Sequence, residues 1–293
     1  MFNKRIVTDR LSTGWMLISM LLILIMPVII GIGLYFKASP LIELKSWGEL
    51  IGSNLWLPHK NEFGFLPFII GSLYVTFVAF CLSSPVCLLA AIFLTQFSSK
   101  RFMYFMHPVI DILAGLPSVI YGVWGIIFIV PFIANYLAPV FGIKSSGYTI
   151  IAGGIVLAIM CIPYILNMLI EVFNNTPNGL KEASLSLGAT SWETVKHVVI
   201  KKGIPGIISA FGLGIAKAFG ETMAVMMVVG NMVQTRFHLF DAGYPLPALI
   251  ANNYGEMLSI PMYDSALMFA ALLLFGIILL INLVFRYFIY KTR

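Results

Sequence analysis

The sequence predicts an all-α polytopic membrane protein with six transmembrane helices, and three observations lead to this fold class. Hydrophobic residues make up 60% of the 293-residue chain and charged residues only 10%, whereas about a quarter of the residues in soluble domains are charged. Six apolar stretches are each long enough to cross a bilayer core of about 30 Å as a helix. Lysine and arginine are distributed unequally between the segments that connect these stretches. These features exclude a soluble enzyme, a secreted disulfide scaffold and a disordered regulator.

The limits of the six predicted spans follow from the apolar runs. They cover approximately residues 15–36, 67–95, 108–134, 148–173, 205–231 and 266–290. The first apolar run is about 22 residues long, beyond the 7 to 15 expected of a cleavable signal peptide, so we interpret it as a retained helix. Residues 1–293 are predicted to form one transmembrane domain, with long connecting loops over about 174–204 and about 232–265.

The positions of lysine and arginine indicate how the chain is oriented in the membrane. With a cytoplasmic N-terminus, twelve basic residues fall in inner segments and five in outer segments. The twelve are Lys4, Arg5, Arg10, Lys100, Arg101, Lys181, Lys196, Lys201, Lys202, Arg286, Lys291 and Arg293, and the five are Lys37, Lys45, Lys60, Lys144 and Arg236. Both termini are therefore predicted to be cytoplasmic. Because these residues occur in small groups, the net charge of +6 indicates membrane orientation and no nucleic-acid partner.

The inner loop 174–204 is predicted to contain two short helices around a glycine turn. Thr176 and Pro177 offer an N-cap followed by a proline in the first helical position. Gly188 offers a stop for this first helix, since glycine readily adopts the left-handed conformation at a helix C-terminus. The sequence therefore predicts a helical hairpin in this loop.

The second arm of the hairpin is predicted from a capping box. Thr190 and Glu193 have the required spacing, and the apolar side of the helix that follows includes Trp192. An amphipathic hairpin needs something to bury its apolar side. The bilayer surface, the protein's own helices and another subunit are all open alternatives at this point.

Residues of the first arm resemble a family signature. Glu182-Ala183-Ser184 followed by Gly188 is similar to the E-A-A-x-x-x-G motif of ABC importer permeases, with Ser184 in place of the second alanine and without the terminal proline of the motif. The resemblance implies a type I ABC importer permease fold and a coupling helix that meets an ATPase subunit. It assigns ATPase coupling to Glu182, Ala183, Ser184, Gly188 and Trp192. The chain contains no G-x-x-x-x-G-K-[S/T] phosphate-binding loop, so it is predicted to be a transport subunit without ATPase activity of its own.

Four ionisable residues lie inside the predicted spans, where a charge is costly and usually marks a pathway. Asp111 and Glu171 fall within one or two turns of predicted cytoplasmic ends, and they are secondary candidates. Lys217 and Glu221 are four residues apart in the fifth span, so a continuous helix would place both charges on one face. Two roles are open for this pair: mutual neutralisation, or a polar pathway in which Lys217 compensates an anion.

A second and more specific resemblance is carried by Gly220-Glu221-Thr222-Met223-Ala224-Val225 and Val229-Gly230-Asn231. This segment is similar to G-E-T-M-A-V-x-M-V-x-G-N of the C-type permease family (PstC) of high-affinity phosphate ABC importers, and residues 116–125 and 63–69 also resemble that family. The resemblance implies inorganic phosphate as the substrate and a pathway that includes Lys217, Glu221 and Thr222. The family commonly carries arginine at the position of Lys217, and lysine keeps the charge but lacks the planar fork of arginine.

The same resemblance implies partners and a location. They are a second homologous permease subunit, two ATP-binding cassette subunits, an external phosphate-binding protein and the lipid of a bacterial cell (inner) membrane, with no cofactor and no metal. Three alternatives stay open on the residues alone: a permease for sulfate or molybdate, a stand-alone secondary transporter or channel, and a signalling or assembly subunit. The outer loop is expected to carry a short helix that begins at Pro247.

Overall fold

The computed structural model describes residues 2–234, 238–255, 260 and 262–292, with side chains from Asp9 onward. Arg236, Arg293 and the side chains of Lys4 and Arg5 therefore lie outside the described residues. In chain order the helices are α1 (Phe2–Leu44), α2 (Trp47–Gly52), α3 (Leu66–Phe97), α4 (Lys100–Gly115), α5 (Ser118–Val140), α6 (Ile150–Asn174), α7 (Asn178–Ser186), α8 (Ser191–Phe219), α9 (Met223–Met226), α10 (Leu246–Asn253) and α11 (Tyr263–Thr292). Strands β1 (Trp56–Leu57) and β2 (Glu62–Phe63) form a small antiparallel pair.

The predicted all-α fold with six spans is confirmed in the part of the chain that the structure describes. The helices α1, α3, α5, α6, α8 and α11 are long and apolar enough to cross a membrane. Wide π-helical turns occur within three of them, at Phe93–Phe97, Gly125–Ile129, Ile133–Leu137 and Val195–Val199. The predicted short helix at Pro247 is confirmed as α10.

Two predicted spans have the wrong limits. The third, 108–134, is interrupted because Pro117 disfavours helical geometry at the residue before it, and Leu116 is extended with φ −65° and ψ 134°. The residues before this break form the separate helix α4, and the third span is α5. The fifth, 205–231, begins earlier than predicted and ends at Phe219, where the chain leaves the helix at Gly220.

Helix α6 is the centre of the bundle. Of its most apolar stretch 56% is buried inside the protein, whereas no residue in the corresponding stretch of α1 is buried. Small residues allow the close contacts, as expected where membrane helices pack without a hydrophobic driving force. Gly154 of α6 faces Val78 of α3, and Gly214 of α8 faces Ile165 of α6.

The pairing of these helices defines two ends of the bundle. Helix α3 runs parallel to α6, since Gly153 lies against Val75 and the Cys87 thiol reaches the Ile162 carbonyl at 3.6 Å. Helix α8 runs antiparallel to α6, because Gly206 lies against Val172 and the later Gly214 lies against the earlier Ile165. We call the end that carries α7 the hairpin end, and the end that carries α10 the loop end.

A second core at the loop end joins α1, α2, the strand pair, α10 and α11. The partly buried Trp56 packs against this core, and its ring lies edge-on to those of Phe63, Phe65 and Phe68 at centroid distances of 4.8 to 5.5 Å. Ser72 of α3 donates to the carbonyl of Phe68 and accepts a hydrogen bond from the amide of Leu246 at 2.8 Å. These contacts fix the loop end to the start of α3.

Replacing Gly154 with alanine is expected to destabilise the bundle, because the new Cβ would lie 2.7 Å from the Cβ of Val78. Overpacking of this kind costs about 1 to 3 kcal/mol. The thermal unfolding midpoint of the purified protein in detergent should fall by several degrees. Gly33→Ala is the matched control, since no atom lies within 4 Å of its Cβ position. Equal midpoints for the two variants would contradict the close contact between α3 and α6.

Candidate functional site

The predicted fifth span is broken between α8 and α9. The backbone turns at Gly220 (φ −88°, ψ −1°), the amide of Glu221 donates to the carbonyl of Ala218 at 3.2 Å, and Thr222 has φ −110° and ψ −63°. The Thr222 hydroxyl donates to the carbonyl of Gly220 at 3.4 Å. Short-range bonds thus satisfy part of the backbone where the helix stops. Thr222, which the sequence predicts as a pathway residue, thus lies within the break and forms a hydrogen bond there.

The break lies near mid-depth of the bundle. Lys217, in the last turn of α8, contacts Tyr164, which is the fifteenth of the 25 residues of α6. At 1.5 Å per residue, Tyr164 is about 21 Å from the loop end of α6 and about 15 Å from its hairpin end. The charged residues at the break are therefore far from both ends.

Lys217 and Glu221 form no ion pair in the described structure, so mutual neutralisation, one of the two roles left open by the sequence, is not seen. The Lys217 ammonium lies 4.2 Å from the centroid of the Tyr164 ring, and Glu221 Oε1 accepts a hydrogen bond from the amide of Ala224 at 3.4 Å. Ion pairs among the described side chains are limited to Lys37–Asp264 and His107–Asp111. The helix stops at Gly220, between the two residues. Each charge then has a partner on its own side of the break.

The partners of Lys217 compensate only part of the cost of its charge in a membrane. A lysine at the bilayer centre costs about 2.5 to 3.5 kcal/mol on insertion scales. A cation at a helix C-terminus gains about 0.3 to 1 kcal/mol, and a cation over an aromatic ring gains about 0.5 to 2 kcal/mol. Because the gains fall short of the cost at most values in these ranges, an anion at this position would be stabilised.

The Lys217 side of α8 is not covered by the described part of this chain. Leu213, Lys217, Gly220 and Met223 are all exposed, and they follow one another along the same side of α8 and the break. The ammonium is thus reachable from the surface of the bundle at mid-depth. The described part of the chain therefore covers the break on one side only.

The secondary candidates Asp111 and Glu171 lie toward the hairpin end. Asp111 belongs to α4, outside the six spans, where its carboxylate is 3.2 Å from Nδ1 of His107 and accepts a hydrogen bond from the Asn167 amide at 2.9 Å. It therefore fastens α4 to α6. Glu171 is exposed and lines a cleft of about 390 Å³ together with His107, Asn167 and Asn174. No described hydrogen bond or ion pair joins either residue to the break.

The predicted hairpin is present, with one correction at its start. Pro177 occupies the N-cap position of α7, and Thr176 does not cap the helix. Gly188 has φ +84° after the end of α7, which is the left-handed stop that the sequence predicts. The capping box is confirmed: Thr190 Oγ1 accepts from the Glu193 amide at 3.3 Å, and Glu193 Oε2 accepts from the Thr190 amide at 2.8 Å.

The second arm of the hairpin is not a separate short helix. It continues without interruption into the fifth span, so that α8 is one helix of 29 residues, about 43 Å long. Ser184 of the first arm is fastened to Thr194 of the second by a hydrogen bond of 2.9 Å between their hydroxyls. The first arm is therefore fastened to the continuous helix that carries Lys217.

The other predicted coupling residues lie on the outside of the hairpin. Glu182, Ala183 and Gly188 are exposed, and Trp192 is 52% exposed. Leu187, which was not among the predicted coupling residues, is 89% exposed beside Gly188. Exposed large apolar side chains at a hairpin tip are a candidate interaction surface.

Sequence reasoning missed Tyr164, His107, Asn167 and Thr194 as partners of the predicted residues. His107 and Asp111 are four residues apart, and this spacing could have indicated their contact on one helix. The other three contacts join different helices, or the two arms of the hairpin. They have no signal in the local sequence.

The chain is similar to proteins of known families. Residues 84–293 match the family described as "Binding-protein-dependent transport system inner membrane component". The chain is 35% identical to the "Probable phosphate transport system permease protein PstC" of Methanocaldococcus jannaschii, over 88% of this chain and 86% of that protein. It is 36% identical to the "Phosphate transport system permease protein PstC" of Xylella fastidiosa, over 76% of this chain and 72% of that protein.

Solved structures are similar in fold. A structure of the inward-facing MetNI methionine ABC transporter matches with a TM-score of 0.60 and 21% identity, over 77% of this chain and 94% of that chain. A second crystal form of the same transporter matches with a TM-score of 0.58 and 19% identity, over 76% and 94% of the two chains. The predicted ABC importer permease fold is thereby confirmed.

Proposed function

We propose that the chain is the permease subunit of an ATP-driven importer of inorganic phosphate. The premise is that the chain belongs to the family of binding-protein-dependent transport system inner membrane components. The observation that carries this proposal is the Lys217 ammonium at mid-depth, which has an aromatic partner and no carboxylate within ion-pair distance among the described residues. The relatives named as phosphate permeases make phosphate the substrate of choice over sulfate or molybdate.

The chemistry of the break fits a protonated oxyanion. The Lys217 ammonium has three N–H donors for the oxygens of an anion. The Glu221 carboxylate accepts hydrogen bonds and donates none while it is ionised. Phosphate at neutral pH carries O–H groups that can donate to such an acceptor, whereas sulfate does not. Glu221 would therefore favour phosphate, and Lys217 would compensate its charge.

The open side of the site calls for a second wall. We assign this wall to a second, homologous permease subunit, because the exposed row from Leu213 to Met223 lies at the depth where substrate has to pass. The hairpin end, with Lys181, Lys196, Lys201 and Lys202, faces the cytoplasm under this proposal, and so do both termini. The loop end receives an external phosphate-binding protein, and the location is a bacterial cell membrane.

The hairpin provides the coupling step. Two ATPase subunits bind the hairpins of the two permeases, and their ATP-driven closure moves the hairpins. Because α8 runs without a break from Ser191 to Phe219, a displacement of the hairpin reaches Lys217 directly. Gly220 ends the continuous helix, so that the segment beyond it need not follow the movement of the hairpin. Alternating exposure of the Lys217 site to the two ends would result.

Uptake by the assembled importer tests the proposal. The chain, its second permease and the ATPase subunits are reconstituted in vesicles with the external binding protein, and labelled phosphate uptake is measured with and without ATP. We expect ATP-dependent uptake that excess sulfate or molybdate does not compete away. Phosphate transport by this chain alone, driven by an ion gradient, would identify a secondary transporter instead. An assembled complex that carries sulfate or molybdate in preference to phosphate would contradict the substrate.

A further inference from the structure

Tyr164 of α6 contacts Lys217 at the charged break. Its ring centroid is 4.2 Å from the Lys217 ammonium, within the distance of a strong cation–π contact. The ring is half-buried and packs against the main core of the bundle. The ring is therefore held in place by α6, whereas the lysine side chain is long and free to rotate.

A flexible lysine beside a carboxylate would be expected to form an ion pair with it. Lys217 is four residues before Glu221, yet the two are not within ion-pair distance, and the ammonium lies over the ring. Glu221 in turn accepts a hydrogen bond from the amide of Ala224. A cation–π contact leaves the N–H groups that point away from the ring free, whereas an ion pair would commit them to a carboxylate.

We propose that Tyr164 is a positioning residue that holds the Lys217 ammonium apart from Glu221 and keeps it available for the oxyanion substrate. The inference rests on the proposed function, and it adds a second helix to the substrate site. Lysine lacks the rigid planar fork of arginine, so its ammonium has no fixed direction of its own. The ring of Tyr164 supplies that direction. Without the ring, Lys217 turns to Glu221, and an incoming anion has to displace the carboxylate.

Tyr164→Leu tests the inference in the assembled importer, with Tyr164→Phe as the conservative variant. Leucine fills much of the space but has no ring face, whereas phenylalanine keeps the face. We expect Tyr164→Leu to raise the KM for phosphate about fivefold to thirtyfold, with the maximal uptake rate changed much less. Tyr164→Phe should restore a KM within about twofold of the wild type. Tyr136→Leu is the matched control, because Tyr136 lies exposed on α5 and contacts no charged group in the described structure.

The outcomes separate this inference from the proposed function. If wild-type complexes take up no phosphate, the proposed function fails before Tyr164 is tested. If wild-type uptake is normal and Tyr164→Leu has an unchanged KM, the positioning role is wrong. A fall in maximal rate alone, equal for Tyr164→Leu and Tyr164→Phe, would show a structural role of the hydroxyl and also overturn it. A raised KM that phenylalanine rescues and Tyr136→Leu does not reproduce supports it.

Discussion

Replacing Lys217 with methionine is expected to lower phosphate uptake by the assembled importer about 10- to 100-fold. Methionine has a similar length and an apolar end, so the variant removes the charge and keeps most of the packing on α8. Hydrogen bonds to a charged group contribute about 1.5 to 3 kcal/mol, and their loss gives a decrease of this size. The same variant also removes the cation–π contact with Tyr164. Initial rates of labelled phosphate uptake in vesicles measure the effect.

The variant Glu221→Gln distinguishes two roles of the carboxylate: accepting the hydrogen bond from the Ala224 amide, and accepting one from phosphate. Glutamine can still accept the hydrogen bond that the amide of Ala224 now gives to Glu221, but it carries no charge, and an NH2 group that donates hydrogen bonds replaces one carboxylate oxygen. If the carboxylate accepts a hydrogen bond from phosphate, uptake should fall and discrimination against sulfate should weaken. Unchanged uptake would restrict Glu221 to the start of α9.

Lys37→Met is the control for these variants. Lys37 is 70% exposed and is 3.9 Å from Asp264 at the loop end, and such surface pairs contribute about 1 kcal/mol or less. We expect this variant to assemble and to transport like the wild type. Normal uptake by both Lys217→Met and Glu221→Gln would show that the break is not part of the substrate pathway. Complex recovery after purification shows whether any loss of uptake comes from failed assembly.

The charged break shows which part of the site can be predicted from sequence. The residue types at Lys217 and Glu221 identify the position, because charge is scarce in this chain and costly in a membrane. Their geometry was predicted from a helix that continues past Gly220, and the structure ends the helix there. A single glycine inside an apolar run is compatible with a helix that continues and with a helix that ends there. Contacts with other helices, here Tyr164 of α6, decide where the ammonium lies.

The spans and the hairpin also combine features that could be predicted from the sequence with one that could not. Apolar length predicts the number of spans correctly. A chain that crosses a membrane must satisfy its backbone hydrogen bonds within the segment, so each long apolar run forms a helix. Local capping chemistry predicts the Gly188 turn and the Thr190–Glu193 box, because each depends on residues three or four apart. The continuity of the second arm with the fifth span is not predicted, since the apolar run places the start of that span at residue 205 and leaves Lys201 and Lys202 in the loop. Both lysines are exposed on the helix and do not interrupt it.

Replacing Leu187 with serine at the tip of the hairpin is expected to weaken the binding of the ATPase subunit about 10- to 100-fold. Leu187 is 89% exposed in this chain, and burying a leucine side chain contributes about 1.5 to 3 kcal/mol. Buried apolar anchors of this kind dominate many interfaces. The amount of ATPase that copurifies with the tagged chain, titrated with added ATPase, measures the effect. Trp192→Ser should act in the same direction, since Trp192 is 52% exposed at the start of the second arm.

Leu57→Ser is the matched control, because Leu57 is 43% exposed in β1 at the opposite end of the bundle. It changes the same side chain, and it should leave ATPase binding unchanged. In complexes that still form with Leu187→Ser, phosphate uptake should fall more than ATP hydrolysis, because α8 transmits hairpin movement only when the hairpin is held. Wild-type ATPase binding by both Leu187→Ser and Trp192→Ser would mean that the exposed apolar side of the hairpin meets lipid and not the ATPase. The coupling contact would then have to lie elsewhere at the hairpin end, and the cleft lined by Glu171 and His107 would be the next surface to test.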